Sequence, residues 1–150
     1  MGIEVIKVIS ETRPVKRIMR CLVALVLAGS LGACGLFDSG VEWRGGPYAL
    51  LWIDTPDIIS LNRDMGSGSS SGRIDTTVFA VGWDGRYLVA KQHPNGDRKA
   101  THYFIIDAER DRPRADPSEF LTGPLTASEF QKQSAALHLP GFSKTLSSLE

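Results

Sequence analysis

The sequence predicts an α+β domain: a twisted antiparallel sheet of about five strands, laid out as a meander, with a C-terminal helix packed on one face. Three observations carry this expectation. Two β-rich runs, Thr77–Trp83 and Arg86–Gln92, are joined by Asp84-Gly85, a pair suited to a tight hairpin. Thr101 to Asp107 reads as a further strand, and Thr126-Ala-Ser-Glu129 has the spacing of a helix capping box.

Taken in order, the chain of 150 residues opens on what reads as an address. Lys16, Arg17 and Arg20 precede an apolar run of 8 residues, Cys21 to Ala28, followed by the small residues Gly29, Ser30, Gly32 and Ala33. A membrane span needs about 20 apolar residues to cross roughly 30 Å of hydrocarbon, so this run is too short to remain as one. A basic head, a short apolar middle and a small-residue end make a secretory signal, expected over residues 1–33. Met19-Arg20-Cys21 would open a compact signal by itself, so Met19 is the expected true start.

The signal closes on Leu31-Gly32-Ala33-Cys34, which resembles the lipobox of bacterial lipoproteins: an aliphatic residue, two small ones, then cysteine. The resemblance implies that Cys34 is acylated and becomes the first mature residue. Each buried methylene adds about 0.8 kcal/mol, so several chains anchor durably. Gly35 in place of aspartate resembles the outer-membrane sorting pattern of Gram-negative lipoproteins. Residues 34–47 are expected as the lipidated cysteine and a glycine-rich tether, leaving residues 48–150 as one globular domain.

Within that domain, Tyr48 to Ile53 is apolar at alternate and intervening positions, as in a strand buried on two sides. Asp54-Thr55-Pro56-Asp57 reads as a turn and Ile58 to Leu61 as the returning strand. Gly66 to Gly72, with no side chain larger than serine, reads as a flexible loop. A type I′ turn at Asp84-Gly85 would set Trp83 opposite Arg86, Val81 opposite Leu88 and Phe79 opposite Ala90 on one face, with Gly82 opposite Tyr87 on the other. His93-Pro94-Asn95-Gly96 turns the chain again. Glu109 to Asp116, where opposite charges nearly cancel, reads as a solvated loop, and Asp116-Pro117 can cap a helical turn. The Thr126 helix should run to about Leu137, ahead of Pro140-Gly141, with Leu125 and Phe130 stapled at its start and Phe130 and Leu137 facing the sheet.

Composition narrows the function classes. Of 17 Lys/Arg and 17 Asp/Glu, five and two lie before Cys34, leaving 12 basic and 15 acidic residues after it. That balance offers no basic surface for nucleic acid. The two cysteines are Cys21, within the signal, and Cys34, at the acylation site, so the mature domain has no thiol for disulfides, catalysis or metal.

No cofactor or metal motif is legible. His93, His102 and His138 fall on a turn, a strand start and a helix end, with no spacing suited to zinc. Asp54 and Asp57, with Asp107 as a third, are the carboxylates available to a hydrolase, although turn aspartates commonly bond their own backbone. The Ser69–Ser71 run has neither the frame of a nucleophile elbow nor the lysine of a phosphate loop. Trp83, Asp84 and Arg86 form the candidate interaction surface, with core packing as the alternative for Trp83.

With Thr76-Thr-Val-Phe-Ala-Val-Gly-Trp-Asp84, Tyr87-Leu-Val-Ala-Lys91, Tyr103-Phe-Ile-Ile-Asp107 and Gly123-Pro-Leu-Thr126 through Phe130 in view, the chain resembles a group of small uncharacterised bacterial lipoproteins over residues 48–137. The resemblance implies the domain boundaries and carries no activity. The expected function is therefore a lipid-anchored protein of the cell envelope, held by Cys34 to the outer membrane facing the periplasm and binding a protein partner without catalysis, as an inhibitor or immunity protein does. The alternatives are a periplasmic hydrolase using Asp and His residues and a structural lipoprotein supporting an envelope assembly.

Overall fold

The computed structural model describes residues 38–150. The signal segment, the lipobox and Cys34 lie outside the described residues. Among the described residues nine strands form two antiparallel sheets, where one sheet of about five was expected. The first is a meander of β1 (Ser39–Gly45), β2 (Tyr48–Ile53), β3 (Ile59–Gly66) and β4 (Ser69–Ile74). The second holds β5 (Val78–Trp83), β6 (Tyr87–Gln92), β7 (His102–Asp107), β8 (Leu121–Leu125) and the two-residue β9 (Lys144–Thr145), in the order β8-β7-β6-β5-β9. Helix α1 (Pro117–Phe120) precedes β8, and α2 (Ala127–Leu137) follows it. The α+β class stands, with the sheet count corrected.

Two expected loops are strands. Residues 39–45 of the expected tether form β1, an edge strand paired with β2 from Ser39↔Ile53 to Gly45↔Tyr48. The stretch read as a flexible loop makes the β3–β4 hairpin, with Gly66 and Gly68 at positive φ around Ser67. Local side chains predicted neither strand, since only Ile74 of β4 is buried.

Sheet pairing stacks the apolar faces. Tyr48, Leu50, Ile59 and Leu61 from the first sheet share one core with Val81, Leu88, Ala90, Phe104 and Ile106 from the second. Burying such side chains is worth about 1.5–3 kcal/mol each, enough to hold two sheets together without disulfides. The crossing between sheets is pinned by polar bonds: Thr77 Oγ1 donates to Asp57 O at 3.3 Å, and Gln92 Nε2 donates to Asp75 O at 2.9 Å.

The β5–β6 hairpin turns one residue later than expected. Asp84 N–H donates to Tyr87 O at 3.3 Å, and Trp83 pairs with Leu88, Gly82 with Val89 and Val81 with Ala90. Gly85, at φ 102°, takes the first central turn position. A partner shift of two residues preserves the faces, because side chains alternate with period two, whereas a shift of one would have inverted them. Phe79, expected opposite Ala90, lies instead at a bulge between Val78↔Gln92 and Ala80↔Lys91.

Helix α2 covers the outer face of the second sheet. The Thr126 hydroxyl accepts from Glu129 N–H, and the Glu129 carboxylate accepts from Thr126 N–H at 2.8 Å, which holds that carboxyl below its ordinary range. Phe130 packs with Val89, Ile105 and Leu125, its ring stacked on Tyr103 at 5.0 Å. Leu137, expected on the buried face, is exposed at the last turn.

After α2 the chain crosses back over β5. A side-chain carbon at Gly82 would overlap the Gly141 carbonyl. Gly82→Ala is expected to destabilise the fold by about 1–3 kcal/mol through this overpacking. A lower denaturant midpoint at unchanged slope checks it.

Candidate functional site

At one end of the molecule β2, β3 and β4 and the loop after β7 bring together a buried ionic cluster of Tyr48, Arg63, Arg73 and Asp111. Tyr48 donates its hydroxyl to Asp111 Oδ2 at 2.9 Å, and Arg73 Nε approaches both Asp111 oxygens at 3.0 and 2.9 Å. The Arg73 guanidinium also lies over the Phe120 ring, 5.0 Å from its centre. Arg63 Nε stands 3.7 Å from the same carboxylate, buried and without a hydrogen bond.

Asp111 is 1% exposed, although it belongs to the segment expected as a solvated loop. The loop carries it inward because its carboxylate answers cations on β3 and β4. Burial, followed by the bond to Asp111 and its negative charge, raises the Tyr48 hydroxyl far above its ordinary value of 10.0.

A raised folded-state value means that the fold favours the protonated phenol. That contribution is complete below the ordinary value and is lost as pH climbs toward the folded one. Stability is therefore expected to fall with rising pH from about 10 upward, and Tyr48→Phe should flatten this alkaline limb of the denaturation midpoint.

The three residues of the expected interaction surface have different positions on the hairpin. Trp83 turns inward, edge-on to Tyr48 with ring centres 5.5 Å apart, and Gly46, at φ 55°, leaves room beneath its indole. The Asp84 carboxylate is spent on the turn, accepting from the N–H groups of Arg86 and Tyr87 at 2.8 and 2.7 Å. Arg86, exposed like Asp84, keeps its side chain off the turn, over the Tyr87 ring at 4.9 Å and 3.7 Å from the Glu109 carboxylate. Surface pairs of that kind are worth about 0–1 kcal/mol, so its guanidinium is free to exchange partners.

The opposite end carries an open depression of about 470 Å³ lined by Asp57, Thr76, His93, Asn95 and Arg98 among others. His93 is 4% exposed and stacked on Phe79 at 4.1 Å. Its Nδ1 lies 2.8 Å from Ala100 O, and a carbonyl only accepts, so Nδ1–H donates there. Nε2 is buried without a partner.

Of the hydrolase candidates, only Asp57 and His93 share this depression. Asp107 lines a separate one with Tyr87 and Arg110, 3.5 Å from Arg110 Nε, and Asp54 holds the β2–β3 turn through its N–H to Asp38 O at 2.7 Å. His102 lies edge-on to Phe104, and His138 caps α2 in the left-handed conformation. Among the described residues no three of His, Cys, Asp and Glu come together as a metal site requires. No helix among them is long and apolar enough to cross a membrane.

Comparison with known sequences gives one family match, to a model described as a protein of unknown function (DUF3997), over residues 45–146. No curated protein and no solved structure matches the chain. The matched span runs from the last residue of β1 to the residue after β9, so it takes in β2 to β9, the Asp111 cluster and His93. The chain belongs to the DUF3997 family of proteins of unknown function.

Proposed function

We propose that this protein is a lipid-anchored binding module of the cell envelope. Cys34 holds it to the outer membrane on the periplasmic side, and its free end meets a protein partner, as an inhibitor or immunity protein would. The observation that supports this reading is the arrangement of the two ends. Four residues after Cys34 the chain reaches Asp38, whose carbonyl is bonded to Asp54 at the β2–β3 turn. The hairpin that presents Arg86 packs through Trp83 against Tyr48 and Gly46, at the other end of β2. The six residues of β2 separate those ends by roughly 17–20 Å. A domain so tethered offers its Arg86 end to the space beyond the membrane.

The hydrolase reading has less support. With Nδ1 bonded to Ala100 and Nε2 enclosed, the His93 ring has no nitrogen open to a substrate. A general base needs one within hydrogen-bond reach of the proton it takes.

A photo-crosslinking residue at Arg86, in cells making the full lipoprotein, tests the proposal. A single protein adduct, absent when the crosslinker sits at Asp57 near the anchored end, is expected. The identity of that protein would separate an inhibitor from an assembly factor. Adducts spread evenly over many abundant proteins, or none, would remove the binding-module reading.

A further inference from the structure

Four large apolar side chains stand exposed among the described residues, and three of them are gathered at one end of the first sheet: Val41 (46%), Ile53 (63%) and Ile58 (50%). Val41 pairs with Leu51 on the face away from the core, and Ile53 and Ile58 flank the β2–β3 turn. Pairing explains why they cannot turn inward. Their strand neighbours Trp52 and Ile59 pair with each other and pack into the core, and period two sends the next residues outward. Scattered exposed apolar residues need no explanation, but a cluster at one tip does.

The same tip is where the chain arrives from Cys34. Asp38 O accepts from Asp54 N–H at 2.7 Å, and Ser39 pairs with Ile53. From Cys34 to Asp38 a fully extended chain spans at most about 14 Å. That reach is shorter than β2 itself, so a domain held at Cys34 cannot stand inverted on its far end with the whole length of β2 between this tip and the bilayer.

We infer that the Val41–Ile53–Ile58 tip docks on the phospholipid bilayer surface and fixes the orientation of the anchored domain. The inference rests on acylation of Cys34 and extends the proposed function by naming what covers this patch. The headgroup layer receives the three aliphatic side chains. The exposed carboxylates of Asp38, Asp54 and Asp57 rim the patch. They match the ammonium of an ethanolamine headgroup and oppose an anionic one, which commits the occupant to an ethanolamine-rich surface.

The mature chain has no cysteine besides Cys34, so a nitroxide can be placed singly at Ile53→Cys, Ile58→Cys or Arg86→Cys in the full lipoprotein. Each is reconstituted in vesicles of phosphatidylethanolamine with phosphatidylglycerol as the minor component. Collision rates with oxygen, which partitions into lipid, and with a water-soluble nickel chelate report the surroundings of each label. The oxygen-to-nickel ratio is expected to be several-fold higher at positions 53 and 58 than at 86. Equal, water-like ratios at all three positions overturn docking. So does shielding at 53 and 58 accompanied by spin–spin broadening that disappears on dilution with unlabelled protein, which would assign the patch to a second copy of the chain. The intact mass of the same samples separates the two levels: acylated Cys34 with a water-like tip ends the docking inference alone, and unmodified Cys34 ends the anchor with it.

Discussion

Asp111→Ala is expected to destabilise the domain by about 3–5 kcal/mol, the cost of stripping one partner from a buried ion pair. The carboxylate answers two guanidiniums and a phenol at once, with Arg73 bonded to both of its oxygens and Tyr48 to one. Without it the Arg73 charge remains buried with its main partner gone, and the loop from Ala108 to Asp116 loses its inward tie. A loss of that size is a large share of the roughly 5–15 kcal/mol by which domains are stable.

Arg63→Met separates charge balance from simple packing. Arg63 Nε has no hydrogen bond and lies 3.7 Å from the carboxylate, so its removal leaves a one-to-one pair of Arg73 and Asp111. Its effect should stay within about 1 kcal/mol, because the part-exposed Arg63 guanidinium makes no hydrogen bond through Nε and lies 3.7 Å from the carboxylate. Urea denaturation of the two variants beside the parent protein reads both outcomes; equal losses would mean that the cluster is not organised around Asp111.

Cys34→Ser is expected to move the protein out of the membrane fraction altogether. On the proposed anchoring the serine offers no thiol for acylation, and each acyl methylene withdrawn removes about 0.8 kcal/mol of membrane affinity. On that anchoring, loss of the acyl chains leaves only the small apolar tip, which is far too weak to retain the domain by itself. Fractionation of cells making either form checks this, and the folded domain should be equally stable in both, because Cys34 precedes the first strand. Unchanged membrane retention of the serine variant would point to a holder other than lipid.

What the sequence made legible follows from the range of the forces involved. The Thr126 capping box, the helix from Ala127 to Leu137 and the Asp116 cap are local, and the structure has each where its residues indicated. The strands Tyr48–Ile53, Val78–Trp83 and His102–Asp107 announce themselves because they are buried and apolar. β1 and β4 do not, since their order comes from pairing to β2 and β3 and not from their own side chains.

The same division holds for the sites. Asp111 looks like one charge among several in a polar loop, and its partners lie 38 and 63 positions away at Arg73 and Tyr48. A long-range ionic contact of that kind leaves no periodic trace. Trp83 was legible as a hairpin tryptophan, but its inward turn depends on Gly46, a residue in the other sheet's first turn. The apolar tip was hidden for a related reason: Ile53 and Ile58 read as ordinary strand ends until pairing brought them beside the arriving chain.

The proposed anchoring depends most on the identity of the mature N-terminus, and the intact mass of the protein extracted from membranes tests it directly. The predicted result is a chain that begins at Cys34 and carries the mass of a diacylglyceryl group and one further acyl chain. A chain that retains residues before Cys34, or begins there without added lipid, would contradict the anchored reading and detach the proposed function from the fold.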